Sequence, residues 1–232
     1  RRELFPNIRD RARATWILNA NSNTDRKRPE LTLRAFAGIA AEHPEAMLVL
    51  HCRAARPGLD LRIERDRLGL RDSVILTEQE RQGPYDEARL GALYSACELG
   101  VNSASAEGWG LAAFEHALHG AAQILPAHAT LHEIWGTAPA WVATGGEVLI
   151  DQAFSGNEAC VEALSGAMRA LLECPERRVA VADACALRAA SPHYQWDAVG
   201  LRWRELLGRV AVSVPPRGST IPGIPRWEAV HP

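Results

Sequence analysis

The stretch Leu99-Gly100-Val101-Asn102-Ser103-Ala104-Ser105-Ala106-Glu107-Gly108-Trp109-Gly110-Leu111-Ala112-Ala113-Phe114-Glu115 passes from a short apolar run, through a polar loop with two glycines, into a segment of helical character. Strand, glycine-bearing loop and helix in that order make one half of a parallel β-α-β unit. The same alternation extends to both sides. Upstream, the pattern predicts strands at Thr15–Asn19, Ala46–Leu50 and Val74–Leu76, with helices over 29–42, 59–68 and 86–97. Downstream it predicts a helix over 111–119, a strand at Ala122–Leu125, and further strands near 141–143 and 148–150. Strands that read as continuous apolar runs are buried on both faces, as in a parallel sheet covered by helices. The fold class is therefore α/β, a Rossmann-like parallel sheet with helices on both faces.

Beyond the last strand the pattern turns helical, over 157–174, 175–188 and 195–210, and ends in a tail with five prolines. The expected organisation is one Rossmann-like domain with closing helices over 1–210 and a Pro-rich tail over 211–232. The 232 residues are 47 % hydrophobic and 23 % charged, an ordinary globular composition that excludes a fibrous or wholly disordered chain. No apolar run approaches the roughly 20 residues of a membrane-spanning helix, and no signal peptide is expected at Arg1-Arg2-Glu3-Leu4-Phe5-Pro6. A formal net charge of −2 argues against a nucleic-acid partner. Five cysteines without a Cys-x-x-Cys pair predict no disulfide framework and a reducing, cytoplasmic compartment.

In an open α/β sheet, ligands bind outside the carboxyl ends of the strands. Three loops at such ends carry the unusual chemistry: Asn21 to Arg28, Asn102 to Leu111, and Pro126 to Glu133. Gly108 and Gly110 let the backbone approach a ligand and lead into a helix N-terminus, which favours an anion such as phosphate. Glu107 and Glu115, eight positions apart, either accept hydrogen bonds from sugar or ribose hydroxyls, or are a solvated loop residue and a first-turn residue answering the helix dipole. Arg26, Lys27 and Arg28 form either a phosphate grip or a solvated basic patch. Lys27 is the only lysine among 26 basic residues, and cations at a helix N-terminus need an anion nearby. His116, His119, His128 and His132 have spacings that allow zinc, but no Cys or acidic motif completes a signature, so no metal is expected. Trp109, Trp135 and Trp141 are expected to pack in the core. Ser103 and Ser105 lack the elbow of a serine hydrolase.

These residues resemble a known family. Glu107-Gly-Trp-Gly-Leu-Ala-Ala-Phe-Glu115 is similar to the Glu-x7-Glu motif of retaining glycosyltransferases of family 4, part of glycosyltransferase group 1. Gly120 to Pro126 resembles the strand that follows the motif, Leu93 to Val101 the segment before it, and Leu18 to Pro29 the family's first loop. The resemblance covers about residues 1–205, in order. It implies the C-terminal, donor-binding half of a GT-B fold, with the acceptor-binding half outside this chain, as in a fragment or one subunit of a split enzyme. The implied reaction moves a sugar from a nucleotide-diphosphate sugar to an acceptor hydroxyl with retention. The alternative is a non-catalytic nucleotide-sugar-binding subunit that stabilises a partner chain. No cofactor or metal is implied. The implied catalytic residues are Glu107 and Lys27. Lys27 would hold the diphosphate, Glu107 the donor sugar hydroxyls and Glu115 the ribose, and the backbone at Gly108, Trp109, Gly110 and Leu111 would meet sugar and phosphate. Where the family carries an Arg that stabilises the leaving diphosphate, this chain has Ser22, and Arg26 is the nearby substitute. A histidine-cysteine-arginine run at residues 51–53 replaces the glycine usual after the second strand.

Overall fold

Thr15–Asn19 (β1), Ala46–Leu50 (β2), Val74–Leu76 (β5), Leu99–Val101 (β6), Ala122–Pro126 (β7) and Ala140–Val142 (β8) form one six-stranded sheet in the computed structural model. The structure describes residues 1, 3–6, 14–78, 85–150 and 155–213. Every pairing in this sheet is parallel, in the order β5-β2-β1-β6-β7-β8. The chain starts at β1, runs outward to β5, then returns to the other side of β1 and runs outward to β8. The two directions part between β1 and β6. Loops leaving the carboxyl ends of these two strands diverge and leave a crevice, the usual place for a ligand in such sheets.

Both faces of the sheet are buried, which is why its strands read as unbroken apolar runs. In β1, Ile17 packs into one core with Leu48 and Leu50, while Trp16 and Leu18 pack into another with Met47 and Val49. The first core is closed by Pro29–Ala40 (α1) and Val161–Glu173 (α6), through Leu33, Phe36, Leu164 and Met168. The second receives Leu93 and Tyr94 of Glu87–Ala96 (α3). Leu111–Leu118 (α4) and Pro175–Ala189 (α7) are neighbours beside β7.

Four local expectations change. The helix predicted over 59–68 begins later, as Leu61–Arg67 (α2), because Asp60 caps it by accepting from the Arg62 amide. It follows a small hairpin, Ala55–Arg56 (β3) with Leu59–Asp60 (β4). The strand near 148–150 belongs to Thr144–Leu149 (β9), which pairs antiparallel with Ser155–Ala159 (β10), outside the main sheet. The helix predicted from Asn157 therefore starts at Val161, since the Asn157 amide is committed to the Ser105 carbonyl at 2.9 Å. The third loop is mostly helix, Ala129–Trp135 (α5).

Contacts group the chain into two units, Arg1–Ala189 and Ala190–Pro232. The sequence reading carries the first domain to residue 210. Within the second unit, Trp196–Ser213 (α8) packs on the short turn Pro192–Tyr194, where Arg202 donates to the His193 carbonyl at 2.5 Å. The predicted tail lies, from residue 214 onward, outside the described residues. All five cysteines are free thiols. Among the described residues no helix is long and apolar enough to cross a membrane.

Candidate functional site

The loop after β1 must turn back to start α1, and it does so at Arg28, the one described non-glycine residue with positive φ (50°). Left-handed backbone costs such a residue about 1–2 kcal/mol. The Arg28 guanidinium offsets this by binding Glu30 and Glu158, each at 2.6 Å. Its carbonyl accepts from the buried Ser103 hydroxyl at 2.7 Å. Ser103 lies on the loop after β6, so this bond joins the two loops that flank the crevice. Asn19 at the end of β1 reinforces the joint by donating to Thr32 Oγ1 (2.8 Å) and Ser103 Oγ (3.3 Å), while Thr32 donates to Ser103 (3.0 Å). A second tie runs from the Ser105 amide to the Arg26 carbonyl, 2.8 Å.

Held this way, Lys27 of the first loop and Glu107 of the second form an ion pair. Both side chains are mostly buried, 14 % and 8 % exposed, so neither is part of a solvated face. Arg26 Nη1 lies 3.6 Å from the other Glu107 oxygen and donates to the Ala106 carbonyl at 2.7 Å. Burial pushes the Glu107 carboxyl up, but the Lys27 hydrogen bond and charge, the Asn102 amide and Arg26 outweigh it and hold it below the usual carboxylate range. Glu107 is therefore an anion. The anion that the basic run requires at a helix start is supplied from within the protein, by Glu107, Glu30 and Glu158.

The pair forms part of the wall of an open depression of about 850 Å³, which Asn21, Ser22, Arg26 and residues 106–112 also line. The start of α4 lines the same depression. Gly110 adopts φ 79° there, a conformation suited to glycine, and no side chain caps the helix. The first amides of α4 are left for a ligand, in a place that favours an anion. Ser22, Arg26, Lys27, Glu107, Gly108, Trp109, Gly110 and Leu111 all border this one depression. Glu115 does not border it. It is exposed in the second turn of α4, four residues beyond Leu111, and accepts from the Tyr94 hydroxyl at 3.0 Å. The first turn of α4 holds no acidic residue, so Glu115 is not the first-turn dipole residue considered above.

The third loop does not line the depression. It supports the second loop from behind: His128 Nε2 meets the Ala104 carbonyl at 2.7 Å and Thr130 donates to the Glu107 carbonyl. The other histidines are also engaged separately. His116 Nε2 lies 3.0 Å from the Cys97 carbonyl, His119 Nδ1 2.9 Å from Ser95 Oγ, and His132 lies tilted against Trp141 with centroids 3.8 Å apart. Among the described residues no three His, Cys, Asp or Glu are grouped as a metal site requires. Of the tryptophans expected in the core, Trp135 is buried, whereas Trp109 is 38 % exposed at the depression. The Asn19–Thr32–Ser103 joint escaped the sequence reading. Its signal was Asn19, a polar residue that closes the apolar run of β1.

No protein-family model and no curated protein matches the chain. Solved structures do. The C-terminal domain of the glycosyl transferase group 1 family protein LpcC from Francisella tularensis aligns over 78 % of this chain and 87 % of that one, with 16 % identity and a TM-score of 0.63. HepE from Anabaena, solved with UDP and glucose, aligns over 88 % of this chain and 50 % of its own, with 16 % identity and a TM-score of 0.64. Sucrose-phosphate synthase from Thermosynechococcus elongatus aligns over 87 % and 46 %, with 20 % identity and a TM-score of 0.62. The fold is that of the C-terminal domains of GT-B glycosyltransferases. The chain spans about half the length of the latter two proteins and most of the LpcC domain.

Proposed function

We propose that this chain is the donor-binding half of a retaining glycosyltransferase, which moves a sugar from a nucleotide-diphosphate sugar to an acceptor hydroxyl. The observation that carries the reading is the meeting of Lys27 and Glu107 in one depression that the uncapped start of α4 also lines. A diphosphate in this depression meets the free amides of α4 and the cations of Lys27 and Arg26. Glu107, held ionised, accepts hydrogen bonds from the sugar hydroxyls. Glu115 accepts from the ribose.

In the transfer, the bond between the anomeric carbon and the diphosphate oxygen breaks, and the acceptor oxygen attacks from the face the diphosphate leaves. The protein positions the partners and neutralises charge on the leaving group. Lys27 and Arg26 carry that neutralisation; Arg26 lines the same depression as Ser22 and stands in for the Arg that the family pattern places there. The reading needs no cofactor and no metal. It assigns the acceptor to a second domain or subunit, and the free thiols suit a cytoplasmic setting. Calorimetry with UDP, GDP, ADP and CDP, each beside its nucleoside, tests it. At least one diphosphate is expected to bind more tightly than its nucleoside, and equal or absent binding across the set overturns the reading.

A second reading, a non-catalytic nucleotide-sugar-binding subunit, is favoured by Ser22, which offers no positive charge to a leaving group. If Arg26→Ala, assayed with the acceptor-binding half supplied, lowers donor turnover, the transferase reading holds. If the assembly with the unmodified chain turns over no donor, the binding-subunit reading replaces it.

A further inference from the structure

Glu115 is exposed on the second turn of α4, where a glutamate side chain ordinarily samples several rotamers. Here one of its oxygens is held. Tyr94, on α3, is 5 % exposed and donates its hydroxyl to Glu115 Oε2 at 3.0 Å. The tyrosine ring is itself fixed. It stacks on His116 with centroids 5.4 Å apart and 24° between planes, and His119 lies against it at 5.6 Å. His116 is anchored to the Cys97 carbonyl and His119 to Ser95, so the residues gripping the ring are fixed in turn. Burial and the neighbouring Glu115 charge push the tyrosine phenol well up, so it remains a donor at neutral pH. No other partner of Glu115 is found among the described residues, which leaves Oε1 for a ligand.

We propose that Tyr94 is a positioning residue for nucleotide recognition: it ties Glu115 Oε2 to α3, so that Oε1 is presented in one orientation to a hydroxyl of the ribose. This rests on the ribose role given to Glu115 above. A freely rotating carboxylate would lose side-chain entropy on every binding event. Here that cost is met in folding, by a buried phenol whose geometry α4 itself enforces. Tyr94 does not touch the ligand, and the diphosphate contacts do not pass through it.

The test compares Tyr94→Phe, Glu115→Gln and the double variant in binding inorganic pyrophosphate and the nucleoside diphosphate that binds the unmodified chain best. Tyr94→Phe keeps the ring and its packing, and thermal denaturation checks that the fold persists. The expected result is that Tyr94→Phe weakens the nucleoside diphosphate roughly three- to tenfold, leaves pyrophosphate unchanged, and adds nothing once Glu115 is Gln. Three results overturn the proposal and are distinct. An equal loss for pyrophosphate makes Tyr94 a packing residue only. An effect of Glu115→Gln without one of Tyr94→Phe leaves the ribose role of Glu115 standing and removes Tyr94 from it. No effect of Glu115→Gln on the nucleotide removes the ribose role itself, and with it the reason to position that carboxylate.

Discussion

Lys27 and Glu107 neutralise each other in the unliganded chain, so a diphosphate arriving at Lys27 competes with a carboxylate already there. The two side chains should consequently respond in opposite ways. Lys27→Ala is expected to weaken a nucleoside diphosphate by about 1.5–3 kcal/mol, the worth of a hydrogen bond to a charged group, and to spare the nucleoside. Glu107→Gln removes the competitor while keeping the shape. It should bind the free nucleoside diphosphate at least as tightly as the unmodified chain, yet lose turnover of the sugar donor when the acceptor half is supplied. Calorimetry for binding and a donor-consumption assay for turnover read the two effects. Weaker binding of the free nucleotide by Glu107→Gln would show that the carboxylate serves the nucleotide and not the sugar. The pair also contributes stability with a definite sign. Because the folded Glu107 carboxyl lies below its ordinary value of 4.5, that contribution is present above this pH and is lost as pH falls through the lower folded value.

His116 extends the same logic to the elements, since it locks α4 to the end of α3 through the Cys97 carbonyl. Burial first of all pushes its imidazole down, from 6.5 to about 4. The unfolded chain therefore takes up this proton at a higher pH than the fold does. Stability should fall as pH drops from 6.5 towards 4, and be insensitive to His116 outside that window. Urea unfolding at about pH 7 and about pH 5 should differ by roughly 2 kcal/mol on this account, and His116→Gln should lose that part of the difference. The β9–β10 hairpin offers a second test of an element. A Cβ on Gly156 would sit 2.4 Å from the Ser105 carbonyl oxygen and 2.9 Å from its carbon, atoms that cannot swing aside as a side chain would. Gly156→Ala should cost about 1–3 kcal/mol of stability and, by pushing the hairpin off the loop that carries Glu107, weaken nucleotide binding. Gly146, in the same hairpin, has open space around its Cβ position. Gly146→Ala should change stability by less than about 0.5 kcal/mol and leave binding intact, which separates a clash from a general loss of glycine.

For the molecule as a whole, the depression is open, and the chain spans about half the length of HepE. On the proposed function, the chain alone should bind donor but transfer no sugar to an added acceptor, because that reading places the acceptor on a second half. Slow hydrolysis of donor remains possible, since water needs no positioning domain. Transfer by the purified 232-residue chain to a soluble acceptor, followed by product analysis, would contradict the half-cleft reading. Transfer that appears only when an acceptor-binding half is added would support it.

The main sheet was legible because its strands are buried on both faces, and that burial leaves unbroken runs such as Ala46–Leu50 for which no other solution is economical. The helix that begins with Pro29 was likewise marked by a residue whose backbone preference is local. What failed was set at a distance. The β9–β10 hairpin depends on Ser105, some fifty positions earlier, to accept from Asn157, and no local pattern announces such a bond. The candidate site divides in the same way. The sequence by itself determined which residues carry charge and where glycine frees the backbone: Lys27, Glu107, Gly108 and Gly110. Only the tertiary structure decided that Lys27 and Glu107 pair, that α5 supports the site without lining it, that Trp109 is open to solvent, and that Glu115 is held by Tyr94. Residue type follows from the chain's chemistry, whereas proximity follows from the reversal of strand order between β1 and β6, which brings together two loops about eighty residues apart.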